Sequence, residues 1–251
     1  MKNLQELADK YGTDKGRHGS FKPNNIHKKR MTGGGHNFVD IYEAYISNLR
    51  NQPITLLEIG LGATGASMKM WHDYFPSARL FGIDLNSHSN LDNDRITTFI
   101  ADQGDKQQLS SFIESVRDIE FDIIIDDGSH KPVDQQQSFS IFFPKLKKGG
   151  LYFIEDLLPN GLGDNWEGAM SSDRVINTRS LFRKFSKTSS FEIPNALGDT
   201  SCLKNEIDSV SFHAPRVSFS FIFSFNSPYF IKKRIRFIPE SENLLAVRKK
   251  K

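Results

Sequence analysis

The chain has 251 residues, of which 37% are hydrophobic and 25% charged, with a formal net charge of +3. These proportions exclude intrinsic disorder and a fibrous fold, and no run approaches the ~18–20 apolar residues of a membrane span. The near-neutral charge balance argues against a nucleic-acid partner, and the one cysteine, Cys202, excludes an internal disulfide or a cysteine-based zinc site. The opening stretch, Met1–Glu6, lacks the apolar core of a signal peptide, so a cytoplasmic location is expected.

Residues 1–45 precede the first strand pattern and are expected to form a lid or cap segment, with 46–251 as the main domain. Gly16–His36 is rich in Gly, Lys and His, and six Lys/Arg fall between Lys15 and Arg30 with no acid among them. That stretch suits a mobile lid facing an anionic acceptor. Ile54–Ile59 then reads as a buried strand, followed at once by Gly60, Gly62 and Gly65. Ala66–Tyr74 has a helical pattern stopped by Pro76. Arg79–Leu85 and Arg95–Ala101 read as the second and third strands. Between Asp105 and Arg117, Leu109, Phe112, Ile113 and Val116 fall at helical spacing. Phe121–Ile125 is a fourth strand running into Asp126-Asp127. Pro132–Phe143 is a helix with Pro in its first turn, and Leu151–Ile154 is a fifth strand running into Glu155-Asp156.

Strands alternating with helices predict an α/β, doubly wound, Rossmann-like sheet that is mostly parallel and binds its ligands beyond the carboxyl ends of the strands. Glu58, Asp84, Asp102, Asp126, Asp127, Glu155 and Asp156 all fall at those ends. Helix capping accounts for one or two such acids, not for seven on one rim. After Leu157 the pattern changes. Pro159–Asp173 reads as irregular and Arg174–Phe185 as helical. Val217–Phe225 alternates apolar residues with Ser and predicts an antiparallel hairpin closing the sheet edge. The basic residues Lys232–Arg236 and Arg248–Lys251 read as solvated surface and tail rather than as a membrane contact.

Gly60-Leu61-Gly62-Ala63-Thr64-Gly65 fits G-x-G-x-x-G between a strand and a helix, which lets the backbone approach a nucleotide closely. The glycines alone do not separate a nicotinamide cofactor from S-adenosylmethionine. Three neighbours favour the latter: Glu58 is placed to accept from a ligand ammonium, Asp84 from both ribose hydroxyls, and Asp102-Gln103 sit where an adenine amino group is expected. In the second motif, Asp126-Asp127-Gly128-Ser129-His130, Asp127 converges with Glu155 and Asp156 one strand later. Three carboxylates make a hard oxygen site suited to Mg²⁺, which resolves their mutual repulsion and lowers the pKa of a bound hydroxyl. His130, three residues past Asp127, is placed to take that hydroxyl's proton. His36 in the lid is a further histidine within reach of such a site.

These motifs, Leu57–Gly62, Asp84, Asp102-Gln103, Ile125–His130 and Ile154–Asp156, resemble the class I methyltransferases that O-methylate sugars with metal assistance, the mycinamicin-type macrolide sugar O-methyltransferases above all. Tyr11-Gly12-Thr13-Asp14-Lys15, followed by His36, Phe38 and Tyr42, is similar to that family's N-terminal segment. The resemblance spans residues 8–157 with gaps and implies a seven-stranded sheet and a homo-oligomer. It implies Mg²⁺ on Asp127, Glu155 and Asp156, His130 as general base, and S-adenosylmethionine on Lys15, Glu58, Gly60, Gly62, Asp84, Asp102, Gln103 and Asp126. The acceptor it implies is a sugar hydroxyl of a glycan, nucleotide sugar or glycosylated natural product. Gly16–Gly35 is longer and more basic than the family pattern, and Val217–Lys251 matches nothing in it. A nicotinamide-dependent oxidoreductase would use the same glycines and Asp84 but has no need of the acid cluster. A cephalosporin-hydroxylase-like oxygenase would share the fold and require iron or 2-oxoglutarate. A non-enzymatic scaffold docking through the Phe-rich end would have no use for the intact glycine and acid motifs.

Overall fold

A computed structural model describes residues 2–17, 35–157, 175–214 and 243–251. The first helix, α1 (Leu4–Tyr11), opens on a reciprocal cap between Asn3 and Glu6 and closes at Gly12 with φ 72°. Helix α2 (Val39–Ile46) is tied to it through Glu43, whose carboxylate accepts from Leu4 N. The wound core follows as β1 (Thr55–Ile59), α3 (Ala66–Tyr74), β2 (Arg79–Asp84), β3 (Ile96–Ile100), α4 (Lys106–Ser115), β4 (Phe121–Asp126), α5 (Pro132–Phe142) and β5 (Leu146–Ile154). Asp105 caps α4 by accepting from Gln107 N and Gln108 N, and Pro132 opens α5 where its missing N–H costs nothing. The chain ends with α6 (Thr178–Thr188), α7 (Leu203–Glu206), β6 (Ile207–His213) and β7 (Leu244–Lys249).

The seven strands form one sheet in the order β3-β2-β1-β4-β5-β7-β6, parallel except where β7 pairs antiparallel with both β5 and β6. Its central strands are apolar at successive positions because both faces are covered. Ile123 and Ile125 of β4, Phe153 of β5 and Ala246 of β7 pack with Leu7, Tyr42 and Trp71 from α1, α2 and α3. Ile124, Tyr152 and Val247 pack on the other face with Phe112, Phe139 and Phe182 from α4, α5 and α6. The winding reverses direction between β1 and β4, and the crevice beyond their carboxyl ends is where such sheets bind ligands. No helix among the described residues is long and apolar enough to cross a membrane.

Of the C-terminal run read as a solvated tail, Lys250 and Lys251 are exposed beyond the last strand, but the two residues before them are not tail. Arg248 and Lys249 belong to β7, inserted between β5 and β6, with Arg248 Nη1 donating to Gly149 O (3.0 Å) and Lys249 Nζ to Pro144 O (2.9 Å). Strand β5 also begins five residues earlier than the sequence pattern indicates, carrying Gly149-Gly150 within it. The antiparallel pair is made by β6 and β7. Residues 18–34 of the stretch Gly16–His36 expected to form a lid, the stretch Pro159–Asp173 read as irregular, the expected hairpin at Val217–Phe225 and the basic Lys232–Arg236 lie outside the described residues.

Candidate active site

A cavity of about 950 Å³ opens at the winding reversal, within the range of small-molecule sites. It is lined by Tyr11–Lys15, Ile59–Thr64, Ile83–Asn86, Ala101–Gln103, Asp127–His130 and Asp156, among others. One end is made of glycine backbone. Gly60 adopts φ +84° and a Cβ there would lie 2.1 Å from the Asp127 carbonyl oxygen, so only glycine fits between β1 and β4. Asp84 at the end of β2 accepts from Leu61 N and Asn86 N (both 2.8 Å), joining the glycine loop to the loop after β2. Asp102 accepts from Gly104 N (2.7 Å). Gln103 reaches the wall, but its amide is committed: Nε2 donates to Asp126 Oδ1 (2.7 Å), and Oε1 accepts from Ser129 N (2.8 Å).

Asp126 lies behind the wall, buried, also accepting from Ser138 Oγ (2.6 Å). Burial, only partly offset by Ser138 and Gln103, pushes its carboxyl up to about 6 from an ordinary 3.8. The raised value means the folded chain holds this proton more tightly than the unfolded one. The stability this proton contributes is therefore complete below pH 3.8 and is lost as the pH rises through about 6. At about 1.4 kcal/mol per pKa unit, Asp126→Asn is expected to remove about 3 kcal/mol of that pH dependence. Urea unfolding of both proteins at pH 4, 5, 6 and 7 checks this, and identical slopes would refute it.

The other end of the cavity is an acid cluster. Glu58 sits at a position of β1 that faces α3, fully buried, with Oε2 accepting from Ser67 Oγ (2.8 Å). Its Oε1 has no hydrogen-bond partner and lies 3.4 Å from Lys15 Nζ. Burial, together with the charge of Asp127, raises Glu58 to about 7 against the pull of Lys15. Lys15 Nζ donates to Asp127 Oδ2 (2.5 Å) and Glu155 Oε1 (2.8 Å), and Glu155 also accepts from the Tyr42 hydroxyl. Burial would discharge Lys15, but Asp127, Glu155 and Glu58 outweigh it and hold the ammonium well above its ordinary value. Burial likewise lifts the carboxyls of Asp127 and Glu155, with Lys15 offsetting part of the rise.

Beyond Lys15 lie the histidines. His36 Nδ1 donates to Asp156 Oδ1 (3.1 Å), which raises the imidazole to about 9. Burial would raise Asp156 as well, but the bond from His36 and the positive charges around it hold the carboxyl below its ordinary value. His130 Nε2 is 3.8 Å from Asp156 Oδ2, and His130 Nδ1 is buried without a hydrogen-bond partner. Asp127, His130 and Asp156 each offer a ligand atom, all within 4.8 Å of one another. Two carboxylate oxygens with an imidazole nitrogen beside them fit a divalent cation.

Of the residues expected from sequence, Gly60, Gly62, Asp84, Asp102, Gln103, Asp127, His130, Asp156 and Lys15 line one cavity. Glu58, Asp126 and Glu155 stand behind its wall. Sequence reasoning missed Ser67 and Ser138, which hold the buried acids, and did not foresee Lys15 inside the acid cluster. Lys15 is 112 and 140 residues from its partners, so no local pattern could reveal them.

No family model matches the chain. It is 41% identical over 139 residues to the 8-demethyl-8-(2-methoxy-alpha-L-rhamnosyl)-tetracenomycin-C 3'-O-methyltransferase of Streptomyces olivaceus, which covers 52% of this chain and 35% of that protein. A second Streptomyces olivaceus enzyme, the 8-demethyl-8-alpha-L-rhamnosyl tetracenomycin-C 2'-O-methyltransferase, is 32% identical over 193 residues, covering 74% of this chain and 50% of its own. The mycinamicin VI 2''-O-methyltransferase of Micromonospora griseorubida is 38% identical over 161 residues, 62% of this chain and 36% of that one. The chain thus spans half or less of the length of these curated relatives. Among solved structures, the mycinamycin-pathway methyltransferase MycE, in complex with Mg and SAH, superposes with a TM-score of 0.65 at 25% identity, covering all of this chain and 54% of that one. The family resemblance carried by the motifs is borne out: this chain is a homologue of the macrolide and tetracenomycin sugar O-methyltransferases and has the class I methyltransferase fold.

Proposed function

We propose that the protein is an S-adenosylmethionine-dependent, Mg²⁺-assisted O-methyltransferase acting on a sugar hydroxyl of a glycosylated small molecule. The observation that carries this reading is one cavity joining the glycine loop and Asp84 to the carboxylates of Asp127 and Asp156 with His130 beside them. Relatives named for methylating tetracenomycin rhamnose and mycinamicin VI support it. In this reading Gly60, Gly62, Asp84, Asp102 and Gln103 line the cofactor's place, with Glu58 and Asp126 buffering it from behind and Lys15 at its edge. Asp127 and Asp156 hold the cation, and Glu155, which accepts from Lys15 and Tyr42, is the third carboxylate this reading assigns to it. Residues 1–45 cap the domain at 46–251, residues 11–15 forming part of the cavity wall.

Bound S-adenosylmethionine supplies an electrophilic methyl group, and a bound divalent cation supplies Lewis acidity toward a hydroxyl. The chain's own contribution is orientation and proton transfer. His130 accepts the acceptor hydroxyl's proton at an imidazole nitrogen. Asp156, braced by His36, fixes the ring beside it, and the buried wall excludes water. Assembly as a homo-oligomer belongs to the same reading.

Calorimetric titration with S-adenosylhomocysteine, in Mg²⁺ and again in EDTA, tests the cofactor. Micromolar binding in both buffers is expected, because the cation is assigned to the acceptor. Absence of binding in either buffer would overturn the reading and favour a nicotinamide or 2-oxoglutarate enzyme.

A further inference from the structure

Lys15 has no part in the chemistry above, yet its ammonium is held among three carboxylates. Its side chain is 1% exposed, and its ammonium meets Asp127, Glu155 and Glu58 at 2.5, 2.8 and 3.4 Å. An ammonium has three protons to donate and no accepting capacity, so a nest of carboxylates can satisfy it without water. The acids need it equally, because like charges buried together without a cation repel one another. The backbone around Lys15 is held in turn. His36 N donates to Asp14 O (2.7 Å), Asn37 N to Gly16 O (3.1 Å) and Val39 N to Lys15 O (3.1 Å). Residues 14–16 are thereby joined to the start of α2, the helix that brings Tyr42 to Glu155.

Two cations fit the same acids. Asp127 belongs to the candidate donor set and commits its Oδ2 to Lys15 at 2.5 Å, and Glu155 is turned toward Lys15 and Tyr42. A dication beside an ammonium in a buried site is strongly unfavourable. We propose that Lys15 is a resident counter-ion of the acid cluster that competes with a divalent cation for Asp127 and Glu155, so that cation binding and docking of the Lys15 side chain exclude one another. With Lys15 docked, Glu155 anchors the N-terminal segment. With Lys15 displaced, Glu155 is free to join Asp127 and Asp156 in an all-oxygen set. The inference rests on the metal reading and adds to it a coupling between the cation and residues 14–16.

Mn²⁺ titration of the full chain, followed by electron paramagnetic resonance of the free ion, tests it on wild type, Lys15→Met, Lys15→Arg and Asp127→Ala. Lys15→Met is expected to bind Mn²⁺ at least ~10-fold more tightly than wild type, and Lys15→Arg, which keeps the charge, to stay within about threefold. Equal or weaker binding by Lys15→Met, with binding abolished in Asp127→Ala, would overturn the Lys15 proposal and leave the metal site standing. Unaltered binding in Asp127→Ala would remove the metal site and the proposal together. Lys15→Met is also expected to destabilise the cation-free fold, so a second measurement uses the wild-type chain. Mn²⁺ should speed hydrogen exchange at the amides of His36, Asn37 and Val39, and unchanged or slower exchange there would equally overturn the proposal.

Discussion

Replacing His130 with alanine is expected to lower kcat by roughly 10²–10⁴-fold while leaving the affinity for S-adenosylhomocysteine within about twofold. His130 contributes none of the glycine backbone or the Asp84 bonds at the cofactor end of the cavity, so its loss should not reach that end. Its ring is held at the other end. The backbone at His130 takes a left-handed φ of +59°, a conformation costing about 1 kcal/mol or more outside glycine, which the turn after β4 imposes. That turn carries the imidazole to within 3.8 Å of Asp156 and buries Nδ1 without a partner. A buried polar atom left unpartnered is unfavourable unless something else uses it, and an acceptor proton or a cation is the candidate use. Turnover measured at saturating cofactor and acceptor, beside calorimetric binding of S-adenosylhomocysteine, checks both halves. Wild-type kcat in the variant would remove the base assignment.

Asp127→Ala is expected to abolish Mg²⁺ stimulation and to lower turnover by at least about 10²-fold, as loss of Lewis-acid assistance worth several kcal/mol would require. The effect on folding should be smaller than removing one partner of an isolated buried ion pair, which costs about 3–5 kcal/mol. Lys15 retains Glu155 and Glu58 when Asp127 is gone, and burial already disfavours the Asp127 charge. Turnover against Mg²⁺ concentration, together with urea unfolding midpoints, separates the two consequences. Undiminished Mg²⁺ stimulation would sink the metal site.

The wound core was legible because its signals are local. The Ala66–Tyr74 helix begins and ends where glycine and proline place it, and β1, β2, β3 and β4 agree with their apolar runs to within one residue at each end. In such a sheet a strand's last residues point at the ligand crevice, so Asp84, Asp127 and Asp156 could be assigned to the rim from strand order alone. The C-terminal part was not legible in the same way. Leu244–Lys249 shows a few apolar residues before a basic run, and only its pairing with Leu151–Ile154 on one side and β6 on the other makes it an interior strand. The stems of Arg248 and Lys249 then lie along the sheet while their charged ends find the carbonyls of Gly149, Pro144 and Leu146.

By itself, then, the sequence determined the class of sheet, the glycine turn that leaves room for a nucleotide, and the gathering of acids and His130 at one rim. Each of these follows from residue type and short-range spacing. Tertiary structure alone decided what each acid touches. Strand pleating turned Glu58 toward the α3 face and left Asp126 behind the wall, so two acids read as ligand contacts are buried partners of Ser67 and Ser138. The pairing of residues 14–16 with the start of α2 delivered Lys15 to Asp127 and Glu155 across more than a hundred residues of chain. Ion pairs of that kind carry no local signature, because they depend on where the fold excludes water and on which opposite charge is closest once it has.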